Sequence, residues 1–187
     1  TVTGTVGDGI FALNNSAAGK LTINAVNASS TDAAAGADDG IDATNNGAGE
    51  TNITVTGTAS AVGGDGIYVH HGSKANLTVT VNNASGADGI SVNNLATSGD
   101  GTTTVTAHGN VTGTGTGNFN SAIYVDNEYS SGTVTVNADN PNAIITGNIG
   151  ILVYKNADTN AGETHITMDR IVEGSTTGII DRTNYGD

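Results

Sequence analysis

The chain has 187 residues, is rich in glycine and small polar residues, and is poor in aromatic and basic ones. It contains 28 Gly, no Cys, no Trp and one Pro, and 18 Asp and Glu against 5 Lys and Arg give it a formal charge of −13. Nucleic acids and anionic membranes are bound mainly through Lys and Arg, so neither is an expected partner. The scarcity of large side chains predicts a thin, repetitive core within a single domain over residues 1–187.

One short motif recurs seven times along the chain, which is typical of repeat architectures. Each copy places an isoleucine after a small residue and before an alternating run. In chain order the copies are GDGIFALNN (7–15), DDGIDATNN (38–46), GDGIYVHHG (64–72), ADGISVNNL (87–95), NSAIYVDNE (120–128), NIGILVYKN (148–156) and TTGIIDRTN (176–184). Successive isoleucines are 23 to 33 residues apart, about 28 on average.

A second motif, centred on threonine, falls between every two consecutive copies of the first. It reads KLTINAV, TNITVTG, NLTVTVN, TTTVTAH, GTVTVNA and THITMDR, and a less regular VTGT element accompanies it. Each repeat therefore holds two or three short strands separated by turns. This pattern predicts an all-β parallel solenoid of about seven rungs. A β-sandwich is the alternative, although it does not require the same residue at the same offset seven times.

The alternation of residues along a strand assigns the motif positions to faces. If each isoleucine points inward, so do the third and fifth positions of the run. The fifth position is asparagine in four copies, and we expect these amides to hydrogen-bond from rung to rung as a structural Asn stack. The stack comprises Asn14, Asn45, Asn94 and Asn127, with His71 in one of its slots.

The position after the isoleucine should face outward, yet it is often aromatic or apolar. One interpretation is packing between neighbouring rungs, and the other is a contact strip for another molecule. The candidate contact residues are Phe11, Tyr68, His70, Tyr124, Asp126, Glu128 and Tyr154.

An aspartate column precedes the isoleucines in the first four copies. We expect its carboxylates to repel one another and to splay into water, with Asp-Gly acting as a turn signal. The alternative is a Ca²⁺ site, because this ion prefers several oxygen ligands. The column consists of Asp8, Asp39, Asp65 and Asp88.

Catalytic patterns are weak throughout the sequence. Asp126 and Glu128 beside Tyr124 and Tyr129 form the best acidic and aromatic patch, but they are a poor catalytic pair. There is no Ser/His/Asp order and no phosphate-binding loop. We therefore expect a protein that is not an enzyme and needs no cofactor or metal.

The rungs GDGIYV and NLTVTVNNASGADGISVNN resemble the passenger region of Gram-negative autotransporters of the AIDA/pertactin type. The resemblance covers nearly the whole chain and is carried by rung pattern and composition. It implies a right-handed parallel β-helix displayed outside the outer membrane or secreted, and a chain that is a fragment of a longer passenger.

The resemblance also implies a role as a non-enzymatic adhesin or virulence factor. The expected partner is a host cell-surface or matrix protein or a glycan, bound through an extended face, with no insertion into the membrane by this fragment. Two alternatives stay open: a carbohydrate-active β-helix such as a lyase or a tailspike-like glycosidase, and a homotypic, self-associating adhesin.

Overall fold

The computed structural model describes the chain except for residues 35–37, 96–100, 128–130, 156–161, 170 and 184–187. Every regular element within the described residues is a β-strand, and all the strand pairs are parallel. The strands are β1 (Val2–Gly4), β2 (Ile10–Asn14), β3 (Leu21–Ala25), β4 (Ala28–Ser30), β5 (Ile41–Asn45), β6 (Thr51–Ala61), β7 (Ile67–His71), β8 (Leu77–Gly86), β9 (Ile90–Asn94), β10 (Thr103–Ala107), β11 (Val111–Gly113), β12 (Ser121–Asp126), β13 (Val134–Ala138), β14 (Ile144–Lys155), β15 (Thr164–Met168) and β16 (Ile171–Thr183).

The strands stack in three faces around a common core. Face A comprises β2, β5, β7, β9, β12 and the second parts of β14 and β16. Face B comprises β3, the first parts of β6 and β8, and β10, β13 and β15. Face C comprises β1, β4, the remaining parts of the long strands, and β11.

The seven isoleucines of the repeated motif are register partners on face A. Each pairs with the isoleucine of the next rung, from Ile10 through to Ile179. Seven strands on one face correspond to about six complete turns between them. The predicted all-β parallel solenoid with a repeat of about 28 residues is thereby confirmed.

The core is formed by the inward positions that the alternation predicted. On face A the isoleucine and the residue two positions later are both fully buried in the five central rungs, as Ile67 and Val69 show. Face B contributes a matching aliphatic row that includes Val79 and Val105. Ile179 is 44% exposed because its rung is covered on one side only.

Variation in repeat length lies in the turns and leaves the strand register intact. The shortest spacing, from Ile67 to Ile90, has a turn of three residues between β8 and β9. The longest, from Ile90 to Ile123, has a loop of seven residues, 114–120, between β11 and β12. Loops that leave the stack at the corners do not disturb the pairing of the strands.

The glycine of the Asp-Gly pairs is required for close packing at the corner between faces C and A. A Cβ at Gly66 would lie 2.5 Å from the Gly89 carbonyl oxygen and 2.9 Å from the Ser85 nitrogen. These are backbone atoms of the adjacent rung and the adjacent face, so they cannot move aside. The backbone at Gly66 is therefore too crowded for a side chain, whereas the equivalent position of the fifth rung holds the small side chain of Ala122.

The predicted Asn stack lies inside the solenoid, at the corner between faces A and B. Asn14 Nδ2 donates to Asn45 Oδ1 over 2.8 Å, and Asn94 Nδ2 donates to Asn127 Oδ1 over 2.8 Å. His71 is the register partner of both Asn45 and Asn94, so it separates the two pairs. The inner three asparagines are at most 1% exposed.

Two buried threonines of face B join this column. Thr51 Oγ1 accepts a hydrogen bond from Asn45 Nδ2 over 2.8 Å, and Thr103 Oγ1 accepts one from Asn94 Nδ2 over 2.9 Å. Both threonines are fully buried. Because each of these two hydrogen bonds joins an amide of face A to a hydroxyl of face B, the column ties the two sheets together.

Two titratable side chains also occupy slots of the column. His71 Nε2 lies 3.0 Å from the Ala75 carbonyl oxygen, to which it donates, so its Nδ1 accepts from the Thr51 hydroxyl over 2.8 Å. Lys155 Nζ donates to the Gly132 carbonyl over 3.1 Å. Burial lowers the pKa of both His71 and Lys155, which favours their neutral forms.

Replacement of Asn45 by alanine is expected to lower the free energy of unfolding by about 2 kcal/mol or more, because the Thr51 hydroxyl and the Gly47 N–H lose a buried partner. The matched control is Asn46→Ala, which removes an exposed amide bonded to Asn15; its cost should stay within about 0.5 kcal/mol. Urea unfolding at neutral pH measures both. Equal losses in the two variants would contradict a structural role for the column.

Candidate binding face

Face A presents two columns of outward side chains, which the strand register aligns from rung to rung. Adjacent rungs are about 4.8 Å apart, so side chains one rung apart are neighbours. The first column runs Phe11, Asp42, Tyr68, Ser91, Tyr124, Leu152 and Ile180, and the second runs Leu13, Thr44, His70, Asn93, Asp126, Tyr154 and Arg182. Both columns mix aromatic, aliphatic and polar side chains, and two tyrosines, Tyr124 and Tyr154, stand on adjacent later rungs.

The aspartate column forms a hydrogen-bonded ladder at the corner between faces C and A. Asp8 Oδ1 accepts from the Asp39 N–H over 2.6 Å, Asp39 Oδ1 from the Asp65 N–H over 2.6 Å, and Asp65 Oδ1 from the Asp88 N–H over 2.8 Å. Asp88 Oδ1 accepts from the Ser121 N–H over 2.5 Å. The expectation that these carboxylates splay into water is wrong, because each binds the backbone of the next rung instead.

Burial makes the inner carboxylates of the ladder weak acids. It raises the pKa of Asp39 and of Asp88 to about 7, and it raises the pKa of Asp65 as well. The backbone N–H bonds oppose this effect, whereas the charges of neighbouring aspartates add to it. At neutral pH the inner ladder therefore carries less negative charge than its composition implies.

An acidic groove of about 420 Å³ opens beside the ladder. It is lined by Asp8, Asp38, Asp39, Asp42, Gly64, Asp65, Tyr68 and Ala87. Oδ1 of Asp42 is buried and has no hydrogen-bond partner among the described residues, and burial raises the pKa of this carboxyl. Within the described ranges no three His, Cys, Asp or Glu side chains are grouped so that they could hold a metal ion, so the calcium alternative gains no coordinating cluster there.

A second groove, the aromatic groove, lies on the later rungs of the same face and has a volume of about 330 Å³. Its lining comes from three successive rungs and one loop: Phe119, Tyr124, Asp126, Leu152, Tyr154 and Arg182. The Tyr124 hydroxyl donates to Asp126 Oδ2 over 3.3 Å. Leu152, although outward, is only 3% exposed.

Phe119 reaches the groove from the seven-residue loop between β11 and β12. The side chain is 66% exposed, and hydrogen bonds on both sides hold the loop that carries it. The Gly117 N–H donates to Asn120 Oδ1 over 2.7 Å, and Asn148 Nδ2 of the next rung donates to the Gly117 carbonyl over 2.9 Å. The ring is thus presented by an anchored loop.

The structure divides the predicted contact strip into two parts. It brings Tyr124, Asp126 and Tyr154 together in the aromatic groove. Tyr68 lies two rungs away in the acidic groove, where burial and the nearby carboxylates raise the pKa of its hydroxyl. His70 lies on the same strand as Tyr68, on the same outward face, and close to Asp42, where its effect on the carboxyl is smaller than that of burial, which raises the pKa of Asp42.

One further residue of the predicted strip, Phe11, lies apart from the aromatic groove. Phe11 is on the first rung of face A and is 63% exposed. Glu128 lies outside the described residues. Conversely, the sequence prediction did not include Phe119 or Arg182, which line the groove. The one sequence signal for Phe119 is the 33-residue spacing, which marks an inserted loop in its repeat.

Two histidines outside face A pair with neighbouring carboxylates. His108 Nδ1 lies 2.8 Å from Asp139 Oδ1, and His165 Nε2 lies 2.9 Å from Glu163 Oε2. All four side chains are about half exposed or more, so these are surface contacts of small energetic weight.

Comparison of the chain with protein-family models, with curated proteins and with solved structures finds no match. In the described part of the chain no helix has the length and apolarity needed to cross a membrane.

The Asp88→Asn variant is expected to be more stable than the parent at pH 8 by about 1 to 3 kcal/mol, a linkage value discounted because Asp88 is only partly buried. The amide oxygen can still accept from the Ser121 N–H. The raised pKa of Asp88 means that its protonated form stabilises the fold below pH 4 and that this contribution is lost as the pH rises through about 7. The gain from Asn should therefore vanish at pH 4.

Thermal unfolding at pH 4 and pH 8 measures this difference. Asp32→Asn is the matched control, since Asp32 Oδ1 also accepts a backbone N–H, from Ala34 over 2.9 Å, but Asp32 is not part of the aspartate ladder. A gain for Asp88→Asn that does not change with pH would show that the ladder is not strained by its charge.

Proposed function

We propose that this chain is a non-enzymatic binding solenoid, part of an autotransporter-type passenger displayed at the bacterial surface or secreted, that attaches to a host cell-surface or matrix component. The observation that carries the proposal is the aromatic groove on face A. Aromatic side chains are enriched where proteins bind partners, since they offer large contact areas at low entropic cost. The rung pattern and the acidic, cysteine-free composition support the passenger assignment.

The groove suits binding better than glycan cleavage. Hydrolysis of a glycosidic bond generally requires two carboxyl groups that flank the bond. Among the described residues that line the groove, Asp126 is the one carboxylate, and it already accepts from the Tyr124 hydroxyl. A single carboxylate in an apolar lining orients a ligand but does not supply the acid and the base together.

Replacement of both Tyr124 and Tyr154 by serine is expected to weaken attachment of the purified chain to host cells at least about tenfold, because removal of central aromatic contacts typically costs more than 1 kcal/mol each. Flow cytometry with the fluorescently labelled chain over a concentration series measures the change. Phe119→Ser is a second variant that leaves the strands intact, since this ring is mostly exposed and lies in a loop.

The matched control is Val62→Ser, which removes an exposed apolar side chain from a turn outside the groove. Its attachment should equal that of the parent. Undiminished attachment of folded Phe119→Ser and of the folded double variant would exclude the aromatic groove as the contact surface.

A further inference from the structure

The size of the aromatic groove suits a single small unit of a ligand. Its volume of about 330 Å³ is at the lower end of the range of about 300 to 1,000 Å³ that small-molecule sites cover. The groove is open to solvent along the flat face, so a unit at the end or in the middle of a longer chain can enter it. The groove therefore suits a compact group of about one ring, and the rest of a longer ligand can extend along the face outside the groove.

The lining combines apolar side chains with two charged groups, one that accepts hydrogen bonds and one that donates them. The two tyrosines and Phe119 provide the accessible apolar surface, to which the nearly buried Leu152 adds little. Tyr154 is the register neighbour of Asp126 on one side and of Arg182 on the other. A carboxylate only accepts hydrogen bonds and a guanidinium only donates them, so the ring of Tyr154 lies between an acceptor and a donor.

A pyranose ring matches this arrangement. Its C–H faces are apolar and pack against aromatic rings, while the hydroxyls at its rim both donate and accept hydrogen bonds. A hydroxyl on one side of the ring can donate to Asp126, and a hydroxyl on the other side can accept from Arg182. The spacing of these two residues, two rungs or about 10 Å, is of the size of a sugar ring with its hydroxyl groups.

The backbone around the groove argues against an extended peptide as the ligand. Peptides that bind to sheets usually pair with a free strand edge. Here β12 pairs with β9 and β14, and β14 also pairs with β16, so the strands that carry Tyr124, Asp126 and Tyr154 have neighbours on both sides. On β12 and β14 recognition therefore depends on side chains. Among the described residues β16, which carries Arg182, pairs with β14 alone, so its outer edge is the one part of the groove where a peptide could pair.

The charges argue against an acidic ligand. Arg182 is the one cation among the described residues that line the groove, and Asp126 shares that lining. The chain as a whole has a formal charge of −13, which repels anions. A neutral ring is consequently favoured over a sialic acid or a uronic acid.

We propose that the aromatic groove is a carbohydrate-binding site that takes one neutral pyranose unit of a glycan. Phe119, Tyr124 and Tyr154 pack against the ring, and Asp126 and Arg182 bind its hydroxyls. This assignment deepens the proposed function and rests on it in one respect: it makes the glycan part of a host surface the contacted component.

Saturation-transfer NMR with the intact chain tests the site directly. The probes are the methyl glycosides of glucose, galactose, mannose and N-acetylglucosamine, with N-acetylneuraminic acid and glucuronic acid as acidic probes. At least one neutral glycoside should receive saturation from aromatic protons, and both acids should receive less. Phe119→Ser and Tyr154→Ala should weaken binding of that glycoside about tenfold, as loss of a stacked ring commonly does. Tyr154→Phe should retain it, and so should Val62→Ser.

Three outcomes separate this inference from the proposed function. Absence of saturation transfer to all four neutral glycosides, or stronger binding of an acid, would overturn the sugar assignment. Cells could bind the parent chain but not the Phe119→Ser variant, and binding of the parent chain could be unchanged after neutral glycans are removed from the cells. In that case the adhesive role stands and the sugar assignment is wrong. If a neutral glycoside binds but cells do not, the sugar site stands and the adhesive role is wrong.

Discussion

The parallel register between successive rungs is the constraint on which every other feature of this molecule depends. Backbone hydrogen bonds set the distance between rungs, but register along the strands needs side chains that reject a slipped neighbour. A shift by one residue would turn the core isoleucines outward. It would also separate Asn14 from Asn45 and the Asn45 amide from Thr51, which would leave polar groups in the core without hydrogen-bond partners. The interior amide column and the aliphatic rows therefore enforce the same alignment from two sides.

The register between rungs determines which side chains are neighbours on the surface of the solenoid. Residues about 28 positions apart become neighbours, so the aromatic groove is assembled from three rungs whose side chains are distant in sequence. The same alignment stacks like with like in the aspartate ladder, where burial, aided by the charges of neighbouring aspartates, raises the pKa of Asp39 and Asp88. One geometric rule thus yields both the aromatic groove on face A and the partly buried carboxylate ladder at the edge of that face.

The repeat period of the sequence was enough to predict the core and the asparagine column. The contacts made at the corners and in the loops could not be predicted from it. Isoleucine and valine at alternate positions sufficed to assign the core, and the recurrent asparagine indicated an inward column. The aspartate ladder was misjudged, because repulsion between carboxylates is offset by the N–H that each accepts, a bond visible only when the corner geometry is known. Phe119 was missed since an inserted loop has no counterpart in other repeats. Arg182 was missed because its place in the lining of the aromatic groove is visible only when the last rung is stacked on its neighbour.

Cross-linking of introduced cysteine pairs tests the register most directly, since the chain has no cysteine of its own. Thr78 and Thr104 are register partners on face B with outward side chains, at a Cα separation of about 4.8 Å, which a disulfide can span. Thr78 and Thr106 are two residues out of register and about 8 Å apart, beyond that reach. Under mild oxidation, the Thr78→Cys/Thr104→Cys chain should form an intramolecular disulfide rapidly and the Thr78→Cys/Thr106→Cys chain should not. Equal or reversed yields would contradict the stacked register and every surface derived from it.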